Sequence, residues 1–146
     1  KLADLFGLVK KSGNTKVDFD CETKVSPNER GATLAPEEFA RRVIAEIRNA
    51  GMAERTTVQS FDWSTLQVIQ KEAPEIRTMY LTSPQTLKRG SNGGYSLWLA
   101  GFAPELHGDS VPRAVHAAGG GVRWLGTSWA SSSSNAATSP SVCTKE

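Results

Sequence analysis

Phe19-Asp20-Cys21-Glu22-Thr23-Lys24, followed later by Gln59-Ser60-Phe61-Asp62-Trp63, decides the fold. Residues 16–25 alternate strictly: Val17, Phe19, Cys21, Thr23 and Val25 fall on one side, and Asp18, Asp20, Glu22 and Lys24 on the other. That period of two predicts a strand with one apolar and one charged face. In an open sheet the charged face meets water; in a small parallel barrel it turns inward, toward a polar site at the strand ends. The second stretch reads as a strand over 56–61 that turns directly into a helix, with Asp62 as its cap.

The flanks extend the pattern. Leu2, Leu5, Phe6 and Val9 are at helical spacing ahead of Ser12-Gly13-Asn14. Pro36 opens a second helix with Glu37 and Glu38 in its positive first turn, and Gly51 ends it. Phe39, Val43, Ile47 and Ala50 are its expected buried stripe. Leu66 and Ile69 mark the buried side of the third helix, Pro74 its exit, and residues 76–81 a third strand. Residues 17–82 thus alternate strand and helix through short connections, which predicts an α/β fold with a parallel sheet and right-handed crossovers. Residues 83–109, rich in Gly, Ser and Pro, read as a long excursion, a kind of segment that is more often functional than accidental. A short helix over 111–118 and a fourth strand over 122–125 follow. Residues 1–126 therefore read as one domain, and residues 127–146, dominated by Ser, Thr, Ala and Asn, as a disordered tail.

The chain has 146 residues, enough for one domain with a real core. Its 17 basic and 15 acidic residues nearly balance, and no basic run or aromatic-studded patch supports nucleic-acid binding. No apolar run reaches the roughly 20 residues that span a bilayer. Cys21 and Cys143 lack metal-ligand spacing, and Cys21 reads as a small buried hydrophobe. Lys1 falls inside an expected helix, which places the natural N-terminus upstream and leaves a periplasmic, secreted or cytoplasmic location open.

Glu22 and Lys24 are the strongest candidate pair. A carboxylate at the C-terminal end of a strand suits a hard divalent cation, and an ammonium two residues on shares its face and suits a phosphate oxygen. On charge pattern alone, a solvated strand face is the commoner reading of such a pair. The Gly-rich segments 90–94 and 119–121 lack the spacing of a phosphate cradle, and no nucleophile elbow is evident.

Residues 2–24 (LADLFGLVKKSGNTKVDFDCETK), 56–82 (TTVQSFDWSTLQVIQKEAPEIRTMYLT) and 96–120 (SLWLAGFAPELHGDSVPRAVHAAGG) resemble the later part of the glycerophosphodiester phosphodiesterase barrel. The matching marks are Glu-x-Lys at the end of a strand and Ser-Phe-Asp at the end of the next. The resemblance implies a partial TIM barrel of about four parallel strands. It also implies metal-dependent hydrolysis of small glycerophosphodiesters to sn-glycerol 3-phosphate and an alcohol. Glu22 would be a metal ligand for Ca²⁺ or Mg²⁺, Lys24 a catalytic contact to the phosphate, and Phe61 a lining residue of the substrate pocket. The family's catalytic histidines, in His-Arg-Gly and after Pro-Glu-Asn-Thr, have no counterpart here; His107 reads as an exposed loop residue and His116 as a surface or packing residue. The chain alone is therefore expected to be inactive. Beyond residue 120 the resemblance and the hydrophobic periodicity both stop, which suggests a frameshift or fusion junction that the encoding DNA would reveal. The rival readings are a non-catalytic half-barrel that self-associates, and another TIM-barrel phosphodiesterase of the phosphoinositide-cleaving kind.

Overall fold

The computed structural model describes residues 1–119 and, as backbone only, the strand Trp124–Trp129. In order, the chain forms α1 (Leu2–Lys11), β1 (Phe19–Glu22), α2 (Pro36–Asn49), β2 (Thr56–Ser60), α3 (Trp63–Glu72), β3 (Arg77–Thr82), the single turn α4 (Pro84–Leu87), α5 (Val111–Gly119) and β4 (Trp124–Trp129). All neighbouring strands are parallel and lie in sequence order, β1-β2-β3-β4. Successive right-handed crossovers in such a sheet stack every helix on one side. That is the arrangement of a (β/α) barrel segment rather than of a doubly wound sheet, whose strand order reverses.

The outer face carries the core. Phe19, Val58 and Tyr80 point to the helices, where Ile44, Ile47, Leu66, Ile69 and Val115 meet them. The rings of Phe6 and Phe19 meet edge to face at 4.9 Å, as do those of Trp63 and Tyr80. The Trp63 indole donates to Leu81 O at 3.0 Å. The Tyr80 hydroxyl donates to Gln70 Oε1 at 2.7 Å, and Gln70 donates to Thr78 Oγ1 at 2.9 Å. Burial pushes the Tyr80 phenol up to about 12, against the smaller opposing effect of its glutamine hydrogen bonds.

The structure moves several expected boundaries. β1 begins at Phe19 instead of residue 16, and Val17 is exposed. Asn14 Oδ1 accepts from the N–H groups of Lys16 and Val17, while Arg55 donates to Asn14 O and Val17 O. This local polar network occupies the backbone groups a longer ladder would have used. The buried stripe of α2 is Ala40, Ile44 and Ile47 with Pro36; Phe39, Val43 and Ala50 lie at its margin. The bulky Phe39 drew the expectation, but the small Ala40 beside it is the fully buried residue. Cys21 is half-buried against the core. The excursion after β3 contains α4 and tight turns at Leu97–Leu99 and Pro104–His107. β4 runs to Trp129, later than the expected 122–125. β4 takes in residues 127–129, which were expected to open the disordered tail; the rest of that tail, and the junction expected beyond residue 120, lie outside the described residues. No helix of the described residues is long and apolar enough to cross a membrane.

Candidate active-site cleft

Strand alternation fixes what faces inward. With Phe19, Val58 and Tyr80 directed to the helices, Asp20, Glu22 and Lys24, then Thr57, Gln59 and Phe61, then Arg77, Met79 and Leu81 take the opposite face. Glu22 pairs in register with Gln59, and Gln59 with Met79.

The end of β1 is held firmly. Thr23 N–H donates to Gln59 O at 3.0 Å, continuing the ladder, and the Thr23 and Thr65 hydroxyls share a buried hydrogen bond of 2.8 Å. The Ser60 hydroxyl donates to Thr23 O at 3.1 Å. These contacts lock the residue between Glu22 and Lys24 to both β2 and α3, so the two charged side chains leave a fixed backbone. Lys24 Nζ lies 2.7 Å from Glu22 Oε1; the carboxylate side chain is only 12% exposed, the ammonium side chain 69%. The acid is thus set into the site wall and the base sits at its rim.

Asp62 links the next strand end to the same region. Its Oδ1 caps α3 by accepting from the N–H and hydroxyl of Ser64, at 3.0 and 2.5 Å. Its Oδ2 accepts from Arg30 Nη1 at 2.8 Å, and the carboxylate is fully buried. Arg30 belongs to the connection after β1, which this pair ties down across the strand ends.

Glu22, Lys24, Phe61, Ser83, Thr86 and Trp98 line one cleft of about 420 Å³ at the C-terminal ends of the strands. Active sites of parallel α/β barrels lie at that end. A larger cavity, about 560 Å³, opens among Glu54, Glu75 and Arg77 at the beginning of β3. It touches neither Glu22 nor Lys24, so the smaller cleft is the candidate site. The structure therefore brings the three residues singled out by sequence, Glu22, Lys24 and Phe61, to one cleft. Sequence reasoning missed Arg30, Ser83, Thr86 and Trp98. The Ser-Pro-x-Thr pattern of residues 83–86 was legible as a cap: the Ser83 hydroxyl accepts from Thr86 N–H at 3.2 Å. Arg30 and Trp98 carried no local signal, because long-range packing alone places them.

Neither histidine lines the cleft. The His107 ring stacks on Phe102 at 6.3 Å, and His116 is exposed on α5. Among the described residues no group of three or more His, Cys, Asp or Glu side chains could hold a metal ion. Glu22 is a donor of the right kind for a hard cation, but its set is incomplete.

No protein-family model matches the sequence, and no curated protein matches it. Among solved structures, a protein from Silicibacter pomeroyi described as a glycerophosphoryl diester phosphodiesterase aligns over 81% of this chain. The TM-score is 0.57 and the identity 28%. The chain resembles part of a glycerophosphodiester phosphodiesterase barrel. It spans 35% of the Silicibacter chain. A glycerophosphodiester phosphodiesterase from Parabacteroides distasonis overlies it more loosely, at TM-score 0.43 and 20% identity, over 84% of this chain and 48% of its own. That looser likeness adds no weight. The sheet order, the cleft at the strand ends and the phosphodiesterase-like alignment agree with one another.

Proposed function

We propose that this chain forms the part of a phosphodiesterase site that grips a glycerophosphodiester by its phosphate. The observation that carries the reading is the Glu22–Lys24 pair, 2.7 Å apart in a cleft at the strand ends. Lys24 is the mobile member: exposed at the rim, it exchanges the carboxylate for a phosphate oxygen when a diester enters. Phe61 and Trp98 give the cleft an apolar wall for the rest of the substrate. Glu22, released from Lys24, provides one oxygen ligand to a divalent cation, Ca²⁺ or Mg²⁺. The other ligands come from outside the described residues. Such a cation would act as a Lewis acid on the phosphoryl oxygen.

Hydrolysis to sn-glycerol 3-phosphate and an alcohol needs an acid and a base that His107 and His116, both away from the cleft, do not supply. The 146-residue chain is therefore inactive by itself. The test uses two proteins: the chain alone, and a chimera in which it replaces the matching part of a complete related enzyme. With Mg²⁺ or Ca²⁺ present, the chain should release no glycerol 3-phosphate. The chimera should turn over, and Glu22→Gln in it should lower both the rate and the metal affinity by at least the roughly 10–100-fold that loss of an outer-shell partner costs. An unchanged rate in the Glu22→Gln chimera would sink the assignment.

A further inference from the structure

Residues 26–35 join the end of β1 to the start of α2. Both ends of this connection are anchored: Val25 and Pro27 are buried at its entrance, and Pro36 is buried as the first residue of α2. Between them, residues 28–33 are all exposed. A segment that buries so little apolar surface gains little from packing and opens readily. Several of its hydrogen bonds turn back on itself, from Asn28 N–H to Ser26 Oγ, from Glu29 N–H to Ser26 O and from Ala32 N–H to Glu29 O. Yet Glu29, Ala32 and Thr33 line the same cleft as Phe61 and Trp98.

Arg30, at the middle of the segment, draws it to the strand ends. Its Nη1 donates to Asp62 Oδ2 at 2.8 Å, and the Asp62 side chain is 0% exposed against 44% for Arg30. A carboxylate taken fully out of water needs a countercharge within hydrogen-bond reach, and a charge-assisted bond is stronger than a neutral one. Ser64 fills Oδ1 with its N–H and hydroxyl, so Arg30 is the partner that fills Oδ2. Asp62 is itself fixed, because its N–H donates to Ser60 Oγ at 3.1 Å while its side chain caps α3. The end of β1 is fastened by other bonds: Thr23 is held by Gln59 O, Ser60 and Thr65. The wall of the cleft and the Glu22–Lys24 pair therefore have separate attachments.

We propose that Arg30 is a positioning residue of this cleft. Latched to Asp62, it holds residues 28–33 down as a hinged wall; unlatched, it lets that wall leave a Glu22–Lys24 pair that stays in place. The consequence for a bound diester rests on the phosphodiesterase reading. The latch itself rests on the ion pair and on the exposure of the segment, and its test needs no ligand.

Hydrogen exchange and indole NMR of the 146-residue chain supply that test. Arg30→Met should speed exchange at the Glu29 and Ala32 amides about tenfold or more, while Thr23 N–H and the β2 amides keep their protection. The indole signal of Trp98, in the cleft, should shift, and the Trp63 indole N–H, bonded to Leu81 O, should stay protected. Asp62→Asn keeps an oxygen for Ser64 N–H but removes the charge. It should open the wall as far as Arg30→Met does, and the double variant should open it no further. Arg30→Lys should restore most of the protection and return the Trp98 signal, because the contact is one N–H on one oxygen. Unchanged exchange in Arg30→Met, or a loss of protection that spreads equally to Thr23 and β2, would overturn the latch. So would additive effects in the double variant, or an Arg30→Lys protein no better protected than Arg30→Met.

Discussion

The two faces of the same strands are built from different chemistry. Outward, Phe19, Val58 and Tyr80 pack into a core closed by α2, α3 and α5, where the Trp63 indole, the Tyr80 hydroxyl and the Gln70 amide each have a hydrogen-bond partner. Inward, Asp20, Glu22, Lys24 and Arg77 share a face with only one close ion pair, Glu22–Lys24, and one orphaned donor, Arg77 Nε, among the described residues. Stability is thus concentrated on the outer face, and the capacity to bind on the inner one. A protein divided in this way loses fold and function through different substitutions.

The largest effect is expected on the outer face. Trp63 is fully buried, packs edge to face on Tyr80 and donates to Leu81 O. Trp63→Ala removes the ring, leaves a cavity and orphans a carbonyl, and should cost about 3–5 kcal/mol in denaturant unfolding. A loss below about 1 kcal/mol would show that the outer face is not the stabilising one.

Tyr80 offers a pH-based version of the same comparison. Its phenol titrates near 10 when unfolded and about 12 when folded. A group whose folded pKa is raised gives stability that is fully present below the unfolded pKa and lost as pH rises through the folded one. The fold should therefore weaken between pH 10 and 12, by up to about 3 kcal/mol at 1.36 kcal/mol per unit. Comparing that slope with Tyr80→Phe isolates the phenol from the lysines that titrate in the same range. Equal slopes in the two proteins would assign the alkaline loss elsewhere.

The outer face is also the part the sequence announces most clearly, because burial imposes periods that composition cannot hide. Val58 and Tyr80 fall within the strands expected over 56–61 and 76–81, and Asp62 before the third helix was legible as a cap. In α2 Ile47 is buried as expected. Burial at the two preceding turns falls one residue later, on Ala40 and Ile44 instead of Phe39 and Val43, and a small Ala40 signals burial less than Phe39 does. On the inner face, alternation identified Glu22 and Lys24 as neighbours, and strand order brought Phe61 to them. Their shared cleft, however, depends on Trp98 and Thr86 folding back from an excursion that has no periodicity. The Arg30–Asp62 pair joins residues 32 positions apart, a distance over which charge pattern alone predicts nothing.

The smallest stability effect belongs to the pair with the greatest proposed consequence for binding. Lys24→Met removes an ammonium that is 69% exposed, so water already screens most of its attraction to Glu22. Exposed pairs contribute about 0–1 kcal/mol, and a methionine stem preserves the packing of the lysine methylenes. Unfolding should shift by less than about 1 kcal/mol, and a double-mutant cycle with Glu22→Gln should return a coupling in the same range. A coupling of several kcal/mol would mean that the pair is a structural tie buried from solvent by a partner. It would place Glu22 and Lys24 with the outer-face residues, as part of what holds the fold together, and remove the rim ammonium from the binding role. A small coupling leaves Lys24 free to exchange its carboxylate for an incoming oxyanion, because a residue that must let go of one partner to take another cannot also be a strong tie.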